Sequence, residues 1–297
     1  MANAQQWDEA FRAKGKGSAA TRDRAFRTWS AIGKFAAEKK WGLTPEAITP
    51  KQMRQFLEHR AQSVTARSVQ LEASHLRRAI SGAGRQLNDV RDPKNSWSSA
   101  RMGVPSASRI GGKAAADPAK YAEARELMPE DIRAAIGLVE AIGLRQKEAV
   151  MSGDSLKEWA RELAKIDSRE QGAYLKIIDG TKGGRPRYTF IEPKQIESVS
   201  KAVLDAQNSP AKNGSVIDSA NLKDALKRYS NCLYRLGFRG DDSGHGLRRS
   251  FAQKQYVYYR ETGLDERLAL KRLSQDLGHG DGRGTWVKNN YLVGGSV

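Results

Sequence analysis

A chain of 297 residues with 51 Lys and Arg against 34 Asp and Glu, a net charge of +17, is long enough for two ordinary domains and points to a polyanionic partner. One cysteine and four histidines leave no internal disulfide and all but exclude a Cys/His zinc site. No stretch approaches the ~18 uninterrupted apolar residues of a membrane span, and residues 1–10 lack the basic-then-apolar layout of a secretory leader, so a soluble, cytoplasmic protein without a membrane partner is expected.

The basic excess is uneven: residues 1–120 carry +12 and residues 121–297 carry +5. Charge alone fits a ribosomal or generic nucleic-acid binder as well as a simply basic, soluble surface. In chain order, residues 21–41 read as a helix capped by Thr21, with Phe26, Trp29, Ile32 and Ala36 on one face. The loop Gly42-Leu43-Thr44-Pro45 ends it. Thr49-Pro50 opens a second helix with an apolar stripe of Met53, Phe56 and Leu57. A third runs from Thr65 to Gly82, with Val69, Ala73, Leu76 and Ile80 inward. Its opposite face carries Arg67, Gln70, Arg77 and Arg85. A solvated face explains such a stripe, and so does a duplex lying against it; the regional charge tips the reading to DNA. His59 and His75, on these helices, read as surface or DNA-contact residues.

Residues 88–118, rich in Ser, Gly, Pro and basic side chains such as Arg109 and Lys113, read as a basic linker. The boundary falls there, giving a helical domain over 1–105 and a second domain over 119–297. That second part mixes helices with a small sheet. Pro129 opens a helix, and Ser155 to Ile166 form another. Residues 174–178 and 187–191 read as strands joined by a loose basic tip, Asp179 to Pro186, which contains Arg185. Helices follow at about 193–207, 219–237, 247–261 and 264–277. Tyr229 and Tyr234 read as core, and so does Cys232.

Four segments stand out by their order: Gly143-Leu144-Arg145-Gln146-Lys147-Glu148, Thr181-Lys182-Gly183-Gly184-Arg185, His245-Gly246-Leu247-Arg248-Arg249, and Leu277-Gly278-His279 followed by Tyr291. Each alone has a bland explanation: an ion-paired arginine, a solvated lysine, a capping histidine. In this order and spacing they resemble the tyrosine recombinase, or phage integrase, family. Its pattern of Arg, Lys, His-x-x-Arg, His or Trp, and Tyr is matched by Arg145, Lys182, His245 with Arg248, His279 and Tyr291. Glu148 matches an acidic residue that the family often carries after its first arginine. The interval of twelve residues from His279 to Tyr291 is longer than usual, by the run Gly280 to Gly284.

The resemblance implies a mainly α fold with a small β-sheet, an α+β catalytic domain following a helical core-binding domain, closed around DNA as a C-shaped clamp. It implies a site-specific DNA recombinase with a 3′-phosphotyrosyl intermediate, mediating integration or excision of a mobile element without cofactor or metal. Double-stranded DNA would be the partner, with a tetramer on paired sites and a directionality factor. In this reading Arg145 and Arg248 clamp the phosphate, since a guanidinium stays protonated at any working pH. Tyr291 attacks with help from His245, His279 donates to a phosphate oxygen, and Lys182 protonates the leaving oxygen. Arg67, Gln70, Arg77, Arg85, Arg109, Lys113, Arg185, Arg187 and Arg249 are the expected DNA contacts. Trp286 is the alternative to His279. Tyr256, Tyr258 and Tyr259 precede Leu-Gly-His279 and read as core or surface residues of their helix. The rivals are a catalytically silent DNA-binding protein of the same fold and a strand-relaxing topoisomerase; neither would need all six side chains together with a basic helical domain.

Overall fold

The computed structural model describes residues 2–15, 17–87, 97–106, 114–166, 170–209, 214–239 and 243–292. The expected linker contacts Arg109 and Lys113 lie outside the described residues. The chain divides into two compact units, residues 1–108 and 109–297.

In the first unit α1 (Ala2–Ala13), α2 (Ala19–Glu38), α3 (Pro50–Ala61) and α4 (Ala66–Gly82) enclose one apolar core. Thr49 and Gln52 form a reciprocal capping box ahead of Pro50, which fixes the start of α3 where the sequence placed it. Helix α2 begins earlier than expected: its cap is Ser18, whose hydroxyl accepts from the Thr21 amide. Its buried face is Ala25, Thr28, Trp29, Ile32, Phe35 and Ala36, which leaves Phe26 55% exposed. The unexpected helix α1 supplies Trp7 and Phe11, and Trp7 stacks on Trp29 with centroids 5.4 Å apart. Helix α1 packs hard against α4. A Cβ at Gly82 would lie 1.8 Å from the carbonyl oxygen of Ala10, so only glycine fits that crossing. His75 is no surface residue: it is buried beside Phe11 and Trp29, with Nδ1 2.9 Å from the Thr28 hydroxyl. Burial lowers its pKa. His59 is exposed and lies against Phe35.

Among the described residues the second unit is mainly helical with one two-stranded antiparallel sheet. Its helices are α5 (Pro118–Ala124), α6 (Glu130–Ile142), α7 (Gln146–Val150), α8 (Leu156–Ala164), α9 (Ile196–Gln207), α10 (Leu222–Arg235), α11 (Gly244–Glu261), α12 (Glu266–Asp276) and α13 (Gly284–Tyr291). Strands β1 (Ala173–Ile177) and β2 (Arg187–Ile191) pair with Leu175 opposite Thr189. Alternation buries Ala173, Leu175, Ile177, Thr189 and Ile191 and turns Tyr174 and Tyr188 outward. Helix α11 packs against α6, α12 and α13, and the core closes around Ile136, Val139, Leu247, Phe251 and Leu273. Tyr229 is buried, as its stripe with Ala225 and Leu233 requires. Tyr234 lies one position further round the helix, is 59% exposed, and has the Arg239 guanidinium 3.9 Å above its ring. Cys232 is half-buried rather than core.

Candidate active site

Helix α6 ends at Gly143, whose φ of 67° is left-handed; a Cβ there would strike the Phe251 ring at 2.3 Å. The chain then turns sharply into α7, and Arg145 occupies the N-cap position. Glu148, one turn later, accepts from the Arg145 amide at 2.7 Å and from its guanidinium. Glu148 is fully buried, with Arg187 2.8 Å and Arg248 3.6 Å away. Burial alone would raise its pKa, but Arg187, Arg248 and Arg145 outweigh that and hold it at about 2. One carboxylate therefore gathers three cations.

Arg248, in the first turns of α11, is 0% exposed. Its two terminal nitrogens donate to the carbonyls of Gly143 and Leu277, and its Nε donates to the Tyr291 hydroxyl at 3.4 Å. Arg145 also donates to Leu277 O, at 3.1 Å. The turn after α12 thus ties both arginines together and presents His279 next to them. Gly278 in that turn has φ 63°, and a Cβ on it would lie 2.4 Å from Arg187 Cδ.

Helix α13 follows the glycine run and carries Tyr291 back into the cluster. Tyr291 is 2% exposed, and its hydroxyl is 3.2 Å from His279 Nε2. The extra residues between His279 and Tyr291 are absorbed by the turn and this short helix. Trp286, on α13, packs on the His279 ring at 4.5 Å. It supports that imidazole and does not replace it. His245, at the start of α11, keeps an exposed edge, with its ring centroid 5.7 Å from that of Tyr291. Hence the imidazole at the phenol oxygen is His279, whereas the sequence reading gave that place to His245. Both rings are neutral at ordinary pH. Burial first, then Arg248, Arg249 and Arg145, push His245 down to about 4; burial, then Arg248, Arg145, Arg187 and His245, push His279 down to about 3.

Lys182 stands apart from this cluster. It is exposed on the hairpin tip, across a cleft of about 550 Å³ that it lines with Arg145, Arg185 and His279.

Of the expected DNA contacts, Arg67 and Arg185 are exposed. Gln70 donates to Pro105 O at 2.9 Å and Arg77 to the Ser99 hydroxyl at 2.9 Å. Arg85 donates to the Ile48 carbonyl at 2.6 Å and sits over Trp97. Arg249 is buried and donates to Ala114 O. These four are committed to their own unit's structure. Arg187 is the clearest correction: it is 7% exposed, points inward from β2 and is paired with Glu148. The signal for it was a charged residue on an inward strand position, in step with Thr189 and Ile191. The aromatic rings at 188 and 190, of which Tyr188 is exposed and Phe190 only half-buried, hid that step by suggesting the opposite face as core.

A family model described as integrase matches residues 103–254. The chain belongs to the integrase family. Among solved structures this integrase is similar to a lambda integrase dimer bound to a COC′ core site, at 17% identity and a TM-score of 0.63 over 100% of this chain and 98% of that one. It is similar to a lambda integrase tetramer bound to a Holliday junction, at 17% identity and 0.60 over 100% and 79%. The XerH site-specific recombinase in a post-cleavage complex with a palindromic difH substrate aligns at 16% identity and 0.55 over 91% and 76%. At such identities the likeness speaks for the fold, and the expected mainly helical fold with a small sheet agrees with it. No curated protein matches the chain.

Proposed function

We propose that this integrase cuts and rejoins double-stranded DNA at specific sites by forming a covalent bond between Tyr291 and the 3′ phosphate. The observation that carries it is the position of the Tyr291 hydroxyl, within 3.4 Å of Arg248 Nε and 3.2 Å of His279 Nε2, directly behind the cleft that His279 and Arg145 line. A phosphodiester entering the cleft beside Arg145 meets a guanidinium that Glu148 holds in place beforehand. Its negative charge offsets those cations and lifts the depressed pKa of both imidazoles, which makes them better proton acceptors. The phenol proton passes to an imidazole as the Tyr291 oxygen bonds to phosphorus. The bond from phosphorus to the 5′ oxygen breaks, and Lys182 on the hairpin gives that oxygen its proton. The phosphoester count is conserved, so the reverse reaction with a 5′ hydroxyl from a second duplex reseals the strand.

Both units would contact the duplex, the first through its basic excess and exposed residues such as Arg67. Assembly as a tetramer on paired sites follows the lambda integrase complex on a Holliday junction. Cytoplasmic location and a directionality factor complete the reading.

The test is a nicked suicide duplex bearing the site, incubated with the protein and resolved in SDS. Wild type should give a protein–DNA adduct and Tyr291→Phe none. An adduct with Tyr291→Phe would overturn the assignment, and DNA binding without any wild-type adduct would favour the silent DNA-binding protein.

A further inference from the structure

We propose that Arg187 is a positioning residue for the strand-transfer chemistry: from inside β2 it fixes Glu148, and through it both clamp guanidiniums, to the turn that carries His279. This rests on the active-site reading given above. Arg187 makes three connections at once. One terminal nitrogen donates to Glu148 Oε2 at 2.8 Å, and the other to the Asp276 carbonyl and the Thr189 hydroxyl. Its aliphatic stem fills the space that a side chain at position 278 would need. Thr189 donates to the same Asp276 carbonyl at 3.0 Å, and the Asp276 carboxylate accepts from the Phe190 amide at 3.0 Å and from the Tyr259 hydroxyl at 2.6 Å. The end of α12 is thereby locked to β2, and the residues that follow it are Leu277, whose carbonyl holds Arg145 and Arg248, then Gly278 and His279. Since β2 also bounds the hairpin that bears Lys182, Arg187 joins the four parts that must meet one phosphate. A lysine offers one point charge where this geometry needs a planar fork.

A purely structural ion pair would make similar contacts, so the test must read the chemistry. Arg187 is one of the cations that face His279. The other cations are Arg145 at the start of α7, Arg248 on α11, and Lys182 and Arg185 across the cleft, with Arg272 of α12 behind it; the neutral His245 ring and the Asp276 carboxyl group lie near it as well. The Tyr291 hydroxyl is its neutral partner. Loss of one cation lets His279 hold its proton to higher pH.

Single-turnover adduct formation on the nicked site would be measured at saturating DNA for wild type, Arg187→Met and Arg187→Lys, together with DNA affinity and the pH–rate profile. Arg187→Met should bind DNA within about twofold of wild type yet cleave roughly 100-fold more slowly, with the acid limb of its profile moved about one pH unit towards neutrality. Arg187→Lys keeps the buried charge, so it reports even if the methionine variant does not fold; it should recover part of the rate and remain about tenfold slow. Lysine cleaving at the wild-type rate overturns the inference. So does a loss that more DNA cures, or a methionine profile that keeps its wild-type limb. If wild type itself forms no Tyr291 adduct, the active-site reading fails and this inference falls with it, whereas a wild-type adduct with indifferent Arg187 variants sinks the inference alone.

Discussion

Glu148 sets the electrostatics of the site: a buried anion beside three guanidiniums keeps Arg145 and Arg248 side by side despite their like charge. Arg145 retains some exposure, while Arg248 has none, so on the proposed reading Arg145 is the guanidinium a phosphate would meet first. Arg145→Ala should therefore bind DNA but cleave on the order of 100-fold more slowly, about 3 kcal/mol of lost transition-state stabilisation; a single-turnover rate near wild type would contradict this. His279 gives a second prediction. Its folded pKa of about 3 lies below the ordinary 6.5, so as pH falls the unfolded chain takes up the proton first. The stability it contributes is complete above 6.5 and is lost progressively as pH falls towards 3. Between pH 6.5 and 5 that loss is about 2 kcal/mol. His245 acts in the same direction, and Asp276, raised to about 6 chiefly by burial, acts in the opposite one. Denaturant titrations at the two pH values should show His279→Phe losing less stability than wild type, and parallel losses would count against the placement.

At the scale of elements, the hairpin is separable from the cluster it serves. Lys182 does not touch Tyr291 and lies across the cleft from Arg145 and His279, which suits a group that meets the leaving oxygen only when DNA is bound. Lys182→Ala should cleave an ordinary phosphodiester slowly, yet cleave a bridging 5′-sulfur substrate at a rate near wild type, because a thiolate leaves without a proton. Equal defects on both substrates would remove Lys182 from that role. The elements differ in how plainly the sequence announced them. Thr49-Pro50 and the paired strands carried local signals, a cap with proline and two alternating runs about a glycine turn, and both appear at the expected places. Helix α13 has eight residues after a glycine run, too few turns for a periodic stripe. Helix α1 opens without a capping signal of its own and is held by α4 and α2. In α2 the small residues Ala25 and Thr28 decide which stripe faces in, and Phe26 loses to them. In the site, order along the chain pointed to Arg145, His245, Arg248, His279 and Tyr291. It could not tell which imidazole meets the phenol, because that depends on how α13 folds back. Arg187 escaped because basic residues near a DNA enzyme's hairpin read as phosphate contacts until the strand's inner face is known.

For the whole molecule, the contact of the Tyr291 hydroxyl with Arg248 and His279 of its own chain has a consequence for assembly. Each subunit should cleave the half-site it holds. Mixing Tyr291→Phe with Arg145→Ala should then give no more adduct than either alone, whereas delivery of the tyrosine to a neighbour would restore activity in the mixed assembly. On the proposed reading, the strong basic excess of the first 120 residues would give the chain its general hold on DNA, and the specific chemistry would stay within residues 145–291.

The central claim is that one phenol becomes bonded to DNA. The most direct measurement is to trap the adduct on a suicide duplex, digest the DNA and the protein, and locate the phosphonucleotide by peptide mass spectrometry. The account predicts the added mass on the peptide containing Tyr291. Finding it on the peptide that carries Tyr256, Tyr258 and Tyr259 would contradict the account.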